Sequence, residues 1–173
     1  FLTKPLGVGI LTTAQKKGIL KPEHARIAPE SMKKLNRAGE RFGQLSYVQA
    51  MTDVTGFGLL GHLSEMCEAS QTSAIVHFDQ VPTIDRDILD FYLGNKCVPG
   101  GTVRNWDSYG HKVAGADVLR QHILADPQTS GGLLVAIEAG CETAFQEVAA
   151  AEGFRLKPFG FMIEKQDIAI TIV

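Results

Sequence analysis

Strand-like and helix-like segments are interleaved irregularly along the 173 residues, and this order constrains the fold more than any other feature. No unit of roughly 20 to 50 residues recurs, so a mixed sheet with helices packed on it is favoured over a barrel or solenoid, and the predicted class is α+β. Leu6 to Thr13 reads as a strand containing two glycines, followed by a polar, Lys-rich connection to Pro29. From Glu30 to Leu45, apolar Met32, Leu35, Ala38, Phe42 and Leu45 recur at steps of three and four, which predicts one helix with a buried stripe, fraying at Gly43. A short strand, Val48 to Met51, runs into the loop Thr52 to Gly58, and Leu59, Leu60, Leu63, Met66 and Cys67 then have helical spacing. Ser73 to Phe78 is predicted as a strand, Asp85 to Leu93 as a short helix and Pro99 to Thr102 as a loop. Val113 to Leu124 is predicted as a helix that must stop before Pro127, and Gly131 to Glu138 as a buried strand. The Ala-rich segment Cys141 to Glu152 reads as a helix, and Phe159 to Ile163 with Ile168 to Val173 as a closing pair of strands.

With 45% hydrophobic and 21% charged residues, the chain has the make-up of one soluble globular domain spanning 1–173. Lys plus Arg (17) nearly balance Asp plus Glu (19), so no general attraction to nucleic acid or to an anionic membrane is expected, and any bound anion must be held locally. The longest apolar runs, such as Gly131 to Ile137 and Ile168 to Val173, fall far short of the roughly 20 residues of a membrane-spanning helix. Cys67, Cys97 and Cys141 are odd in number and form no C-x-x-C pair, which points to a reducing cytoplasm; each reads as a small hydrophobe. His24, His62, His77, His111 and His122 contain no H-x-x-x-H or H-x-x-H pair, which argues against zinc. The chain opens on Phe1-Leu2-Thr3 in strand-like sequence, without Met or a signal-peptide pattern, so an upstream segment is expected to have been removed.

Gly56-Phe57-Gly58-Leu59-Leu60-Gly61 spells G-x-G-x-x-G between a strand and a helix, and Asp79 ends the next strand, as in a dinucleotide fingerprint. Thr52, Asp53 and Thr55 nevertheless stand where a pyrophosphate would approach. At about 4 Å and an effective dielectric of about 20, two like charges cost about 4 kcal/mol, so an unscreened Asp53 opposes direct nucleotide binding. A Mg²⁺ ion reverses that sign, because it takes one or two carboxylates together with phosphate oxygens and water. Three readings stay open on the residues alone: Mg-phosphate binding, a structural turn in which Asp53 caps the helix, and a nicotinamide or flavin site.

A second loop, Asp126-Pro127-Gln128-Thr129-Ser130-Gly131-Gly132, carries hydroxyls, the Gln128 amide and glycine N–H groups that suit either an anion-binding concavity or a capped turn. Arg104, after Pro99-Gly100-Gly101-Thr102-Val103, offers either a phosphate partner or a solvated surface charge. His62 lies one turn into the helix after the glycine loop, where it either packs or faces the loop.

Four segments, in order, carry a family resemblance: LTKPLGVGILTT (Leu2 to Thr13), AMTDVTGFGLLGHLSEM (Ala50 to Met66), PGGTVRN (Pro99 to Asn105) and DPQTSGGLL (Asp126 to Leu134). Together they resemble the carboxy-terminal domain of the selenophosphate synthetases, in the aminoimidazole-ribonucleotide synthetase superfamily. The resemblance weakens between Thr72 and Lys96 and after Gly140. It implies a two-domain subunit that dimerises through an amino-terminal domain, with ATP bound where the domains meet. The implied reaction takes selenide, ATP and water to selenophosphate, AMP and phosphate. Asp53 matches the family's Mg²⁺-ligating aspartate; Thr52, Thr55, Gly56, Gly58, Thr129 and Ser130 are implied to lie near the phosphates or ATP. The family's catalytic Cys or selenocysteine and its partner Lys have no counterpart here, so no catalytic residue is expected and the isolated chain should not turn over. The rivals are another ATP-using member of the superfamily, a non-catalytic regulatory homologue or interaction domain, and a nucleotide-binding oxidoreductase.

Overall fold

A computed structural model describes all residues, 1–173. In chain order the elements are α1 (Val8–Lys16), α2 (Ile27–Lys33), α3 (Ala38–Phe42), β1 (Val48–Asp53), α4 (Gly58–Ser70), β2 (Thr72–Val76), α5 (Arg86–Gly94), α6 (Gly100–Tyr109), β3 (Val113–Ala114), α7 (Val118–Leu124), β4 (Leu133–Ile137), α8 (Glu142–Ala151), β5 (Gly160–Glu164) and β6 (Ile170–Ile172). The strands form two sheets. β1 and β4 pair antiparallel, and a four-stranded mixed sheet has the order β3-β6-β2-β5, in which β6 runs parallel to β2 and to β3 and β5 runs antiparallel to β2. The α+β class with a mixed sheet is therefore the observed architecture.

β4 shows why its apolar run is unbroken. Leu134 faces the main core with Leu59, Leu60 and Leu63 of α4, whereas Leu133 and Val135 face a second core with Ala38, Phe42, Phe145 and Ala149. Successive strand residues point to opposite faces, so a strand covered on both sides must be apolar throughout. Phe145 of α8 stands 4.9 Å, centroid to centroid, from both Phe1 and Phe42, and these rings fill the second core.

Five local expectations are corrected. The predicted strand from Leu6 to Thr13 is helix α1, because Val8, Ile10, Leu11 and Ala14 are all buried and the alternation that marks a half-exposed strand never develops. The helix predicted from Glu30 to Leu45 is two, α2 and α3. Lys34 is extended, the Asn36 amide donates to the Gly131 carbonyl oxygen at 2.9 Å, and Leu35 is 74% exposed instead of buried. That tertiary hydrogen bond outweighs the weak preference of the intervening residues for a continuous helix. The Pro99 to Thr102 segment is not wholly a loop, since α6 begins at Gly100, with Pro99 in extended backbone just before it. Val113 to Leu124 divides into β3 and α7, because Gly115 turns the chain with a φ of 79° and Asp117 caps α7 by accepting from the Arg120 N–H at 2.8 Å. The closing strands β5 and β6 do not pair with each other; they flank β2.

Candidate functional site

In an antiparallel pair the end of one strand lies beside the start of the other. Asp53, the last residue of β1, pairs with Leu133, the first of β4. The loop leaving β1 (54–57) and the loop entering β4 (126–132) therefore form one surface. The ladder continues past the strands, with Val54 N–H donating to the Gly132 oxygen at 2.8 Å and Gln128 N–H to the Thr55 oxygen at 3.0 Å. Asp53 is exposed there, and no ion pair or hydrogen bond engages its carboxylate. It does not cap α4, whose N-cap position is Phe57 and whose start has no side-chain cap. The dinucleotide reading fails on topology. It requires a parallel strand-helix-strand unit, but β1 pairs only with antiparallel β4, while β2 after α4 belongs to the other sheet.

The glycines of the two loops let backbones meet. Gly58 has a φ of 69°, and a Cβ there would stand 2.7 Å from the Ala125 carbonyl carbon. Its N–H donates to the Thr55 oxygen at 3.1 Å and so points inward. A Cβ on Gly131 would overlap the Val54 carbonyl oxygen. Gly56, by contrast, is exposed with open space around it.

Buried polar groups lock this arrangement; of them the sequence points only to the Gln128 amide, and it is buried in internal hydrogen bonds instead of facing an anion. Asn105, on α6, donates to the Gly56 oxygen at 2.8 Å and the Ala125 oxygen at 3.0 Å. Asp126 is fully buried, and its Oδ2 accepts from the Gly9 N–H at 2.9 Å and from Gln128 Nε2 at 2.8 Å. Gln128 Oε1 in turn accepts from the Val8 N–H at 3.3 Å. Burial pushes the Asp126 carboxyl up to about 8, against the opposing pull of Gln128 and the backbone at Gly9. Lys4 is buried and donates to the Ser130 oxygen at 2.6 Å; burial first, and the Lys34 charge second, hold its ammonium below the usual lysine range. All four sequence blocks thus converge on one end of the β1–β4 sheet. The signal that could have found these residues is their place inside the blocks, next to the glycines.

The remaining candidates fall around the same end. Thr52 is half-buried opposite Leu134, and its hydroxyl lies 3.5 Å from the Asp53 oxygen, too long for a strong bond. Thr55 is half-buried, with its Oγ1 3.1 Å from His62 Nε2. Thr129 and Ser130 are exposed; Ser130 Oγ donates to the Met32 oxygen at 2.9 Å. Arg104 is exposed on α6. No group of three His, Cys, Asp or Glu side chains is arranged to hold a metal ion. As a carboxylate outside any such cluster, Asp53 fits a Mg²⁺ site as one contributor among several. An apolar cavity of about 300 Å³ lies elsewhere, between α4, β2, β4 and β5, and none of the candidate residues lines it.

This fold and site define a class. The family described as AIR synthase related protein, C-terminal domain, matches residues 1–173, and the chain belongs to it. Among curated proteins, the chain is similar to proteins named selenide, water dikinase. The one from Aeromonas hydrophila is 57% identical over 160 residues, 92% of this chain and 46% of that protein. Those from Pasteurella multocida and Pseudomonas putida are 49% and 50% identical, each covering 100% of this chain and 50% of theirs. The chain spans about half the length of these relatives. Among solved structures, thiamine-monophosphate kinase from Stenotrophomonas maltophilia superposes with a TM-score of 0.68 at 16% identity, over 99% of this chain and 48% of that one. The hydrogenase maturation protein HypE superposes with a TM-score of 0.58 at 18% identity, over 94% and 43%. At such identities the likeness is one of fold. No helix is long and apolar enough to cross a membrane.

Proposed function

We propose that this chain is the carboxy-terminal half of a selenide, water dikinase, which converts selenide, ATP and water to selenophosphate, AMP and phosphate. The observation that carries the reading is the convergence of all four blocks around an exposed carboxylate with no protein partner, in a chain about 50% identical throughout to half of proteins with that name. The other half of the protein would supply the remaining metal ligands, the nucleophile and most of the ATP contacts, and would carry the dimer contact. Mg²⁺, when bound, would neutralise phosphate charge where phosphoryl groups transfer.

The work of this chain's own residues is positional. Asp53 is held at a strand end by the β1–β4 ladder, while the buried Asn105 donates to the Gly56 carbonyl and the buried Gln128 accepts from the Val8 N–H at the start of α1. Thr52, Thr55, Gly56, Gly58, Thr129 and Ser130 border the phosphates in this reading, Gly58 through the turn it permits. Its three free cysteines suit a reducing cytoplasm. Product analysis of the full-length protein tests the function: phosphorus NMR should show selenophosphate, AMP and phosphate only when selenide is supplied with Mg-ATP. ADP as the sole nucleotide product, or turnover indifferent to selenide, would instead favour another ATP-dependent chemistry of this superfamily.

A further inference from the structure

Lys4 is a charged residue buried without a counter-charge. Its ammonium carries three protons, and its partner is a neutral carbonyl, the Ser130 oxygen at 2.6 Å. No carboxylate pairs with it, and the charge felt at its ammonium is that of Lys34, of the same sign. Lys34 is exposed and extended between α2 and α3, and the chain on both sides of it is tied to the same loop. The Met32 oxygen accepts from Ser130 Oγ at 2.9 Å, and the Asn36 amide donates to the Gly131 oxygen at 2.9 Å. Neutral hydrogen bonds thus bring two like charges to residues 130–131, which costs free energy until an anion joins them.

The loop itself gives an independent sign. Ser130 has a φ of 49°, in the left-handed region that a residue with a side chain rarely adopts, and strain of this kind gathers at ligand sites. Buried backbone N–H groups are nearly always bonded, yet the N–H of Gly131, a buried residue, and that of Ser130 before it donate to nothing in the chain. Successive free N–H groups at a left-handed residue make an anion-binding concavity. Asp53 pairs with neither lysine. Leu133 faces Asp53 on one side and accepts from the Thr3 N–H at 3.0 Å on the other, so the two flanking backbones stand about two strand spacings, roughly 10 Å, apart.

We propose that Lys4, Lys34 and the N–H groups of Ser130 and Gly131 form an oxyanion site that holds a phosphoryl group, either one of the nucleotide or the phosphate released from it. Assigning the oxyanion to phosphate chemistry rests on the function proposed above; the site itself needs no metal and is separate from Asp53.

The test uses the full-length protein, with inorganic phosphate and ATP as probes. With metal removed by chelation, phosphorus NMR titration should show phosphate affinity falling about tenfold in Lys34→Gln and by a similar factor in Lys4→Gln, while Lys33→Gln, at the exposed neighbour, and Asp53→Asn stay near wild type. In turnover at saturating Mg²⁺, a raised KM for ATP in Lys34→Gln would place the nucleotide's phosphoryl group at the site. Weaker inhibition by added phosphate at an unchanged KM would place the released phosphate there. Unchanged phosphate affinity in Lys34→Gln, turnover in which neither quantity moves, or an equal fall in Lys33→Gln, the mark of diffuse attraction, would overturn the proposal and leave the proposed function standing. Lysine-dependent phosphate binding in a protein that makes no selenophosphate would keep the oxyanion site and remove that function. Should Lys4→Gln not fold, Lys34→Gln, a change at an exposed residue, still decides.

Discussion

Asp53→Asn in the full-length protein is expected to lower selenide-dependent AMP formation by about 10²- to 10³-fold, or about 3 to 4 kcal/mol of transition-state stabilisation, while the fold is kept. The substitution preserves size and removes one charge. Asp53 is exposed and its carboxylate bonds to nothing in the chain, so the folded state loses no interaction and stability should change by no more than about 0.5 kcal/mol. The effect on rate follows from phosphoryl transfer, which depends on charge neutralisation and alignment, so that a missing metal ligand acts on chemistry alone. Raising Mg²⁺ should recover part of the lost rate if metal affinity is the defect. A thermal melt run beside the product assay separates the two quantities, and near-wild-type turnover would remove Asp53 from the site.

Gly131→Ala should do the reverse, destabilising the fold by about 3 kcal/mol or somewhat more. The added methyl would overlap the Val54 carbonyl oxygen, which is backbone and cannot swing aside, and Val54 is itself tied by its N–H to the Gly132 oxygen at 2.8 Å. For a domain of this size such a loss lowers the melting temperature by roughly 6 to 12 °C. Gly56→Ala is the control, because a Cβ there meets nothing within 4 Å, and its melt should stay within about 2 °C of wild type. Equal melts for the two variants would show that the loops are not packed as described.

What the sequence made legible follows from what periodicity can encode. α4 and β4 were foreseen because their burial is decided by their own residues: Leu59, Leu60 and Leu63 at helical spacing, and an apolar run from Leu133 to Ile137. α1 reads as a strand in sequence because its opening run, Val8 to Leu11, is buried at every position and shows no exposed face that would reveal a helical period. The break between α2 and α3 depends on Asn36 finding the Gly131 carbonyl 95 residues away, which no local pattern records. The same holds within the site. The glycine loop and Asp53 announced themselves, whereas the roles of Lys4, Asn105, Asp126 and Gln128 arise only from partners brought together by the β1–β4 pairing. Short polar residues read as solvated until a fold buries them.

In the proposed function this chain holds one side of a shared Mg-ATP site, with Asp53 as its metal-facing group. Calorimetric titration with Mg-ATP, of the 173-residue chain and of the full-length protein in parallel, tests it most directly. With no cluster of three or more potential metal-ligating side chains, the isolated chain should stay folded and cooperative but bind only in the millimolar range, while the full-length protein binds much more tightly. Micromolar affinity in the isolated chain would contradict the claim and show a self-sufficient nucleotide site.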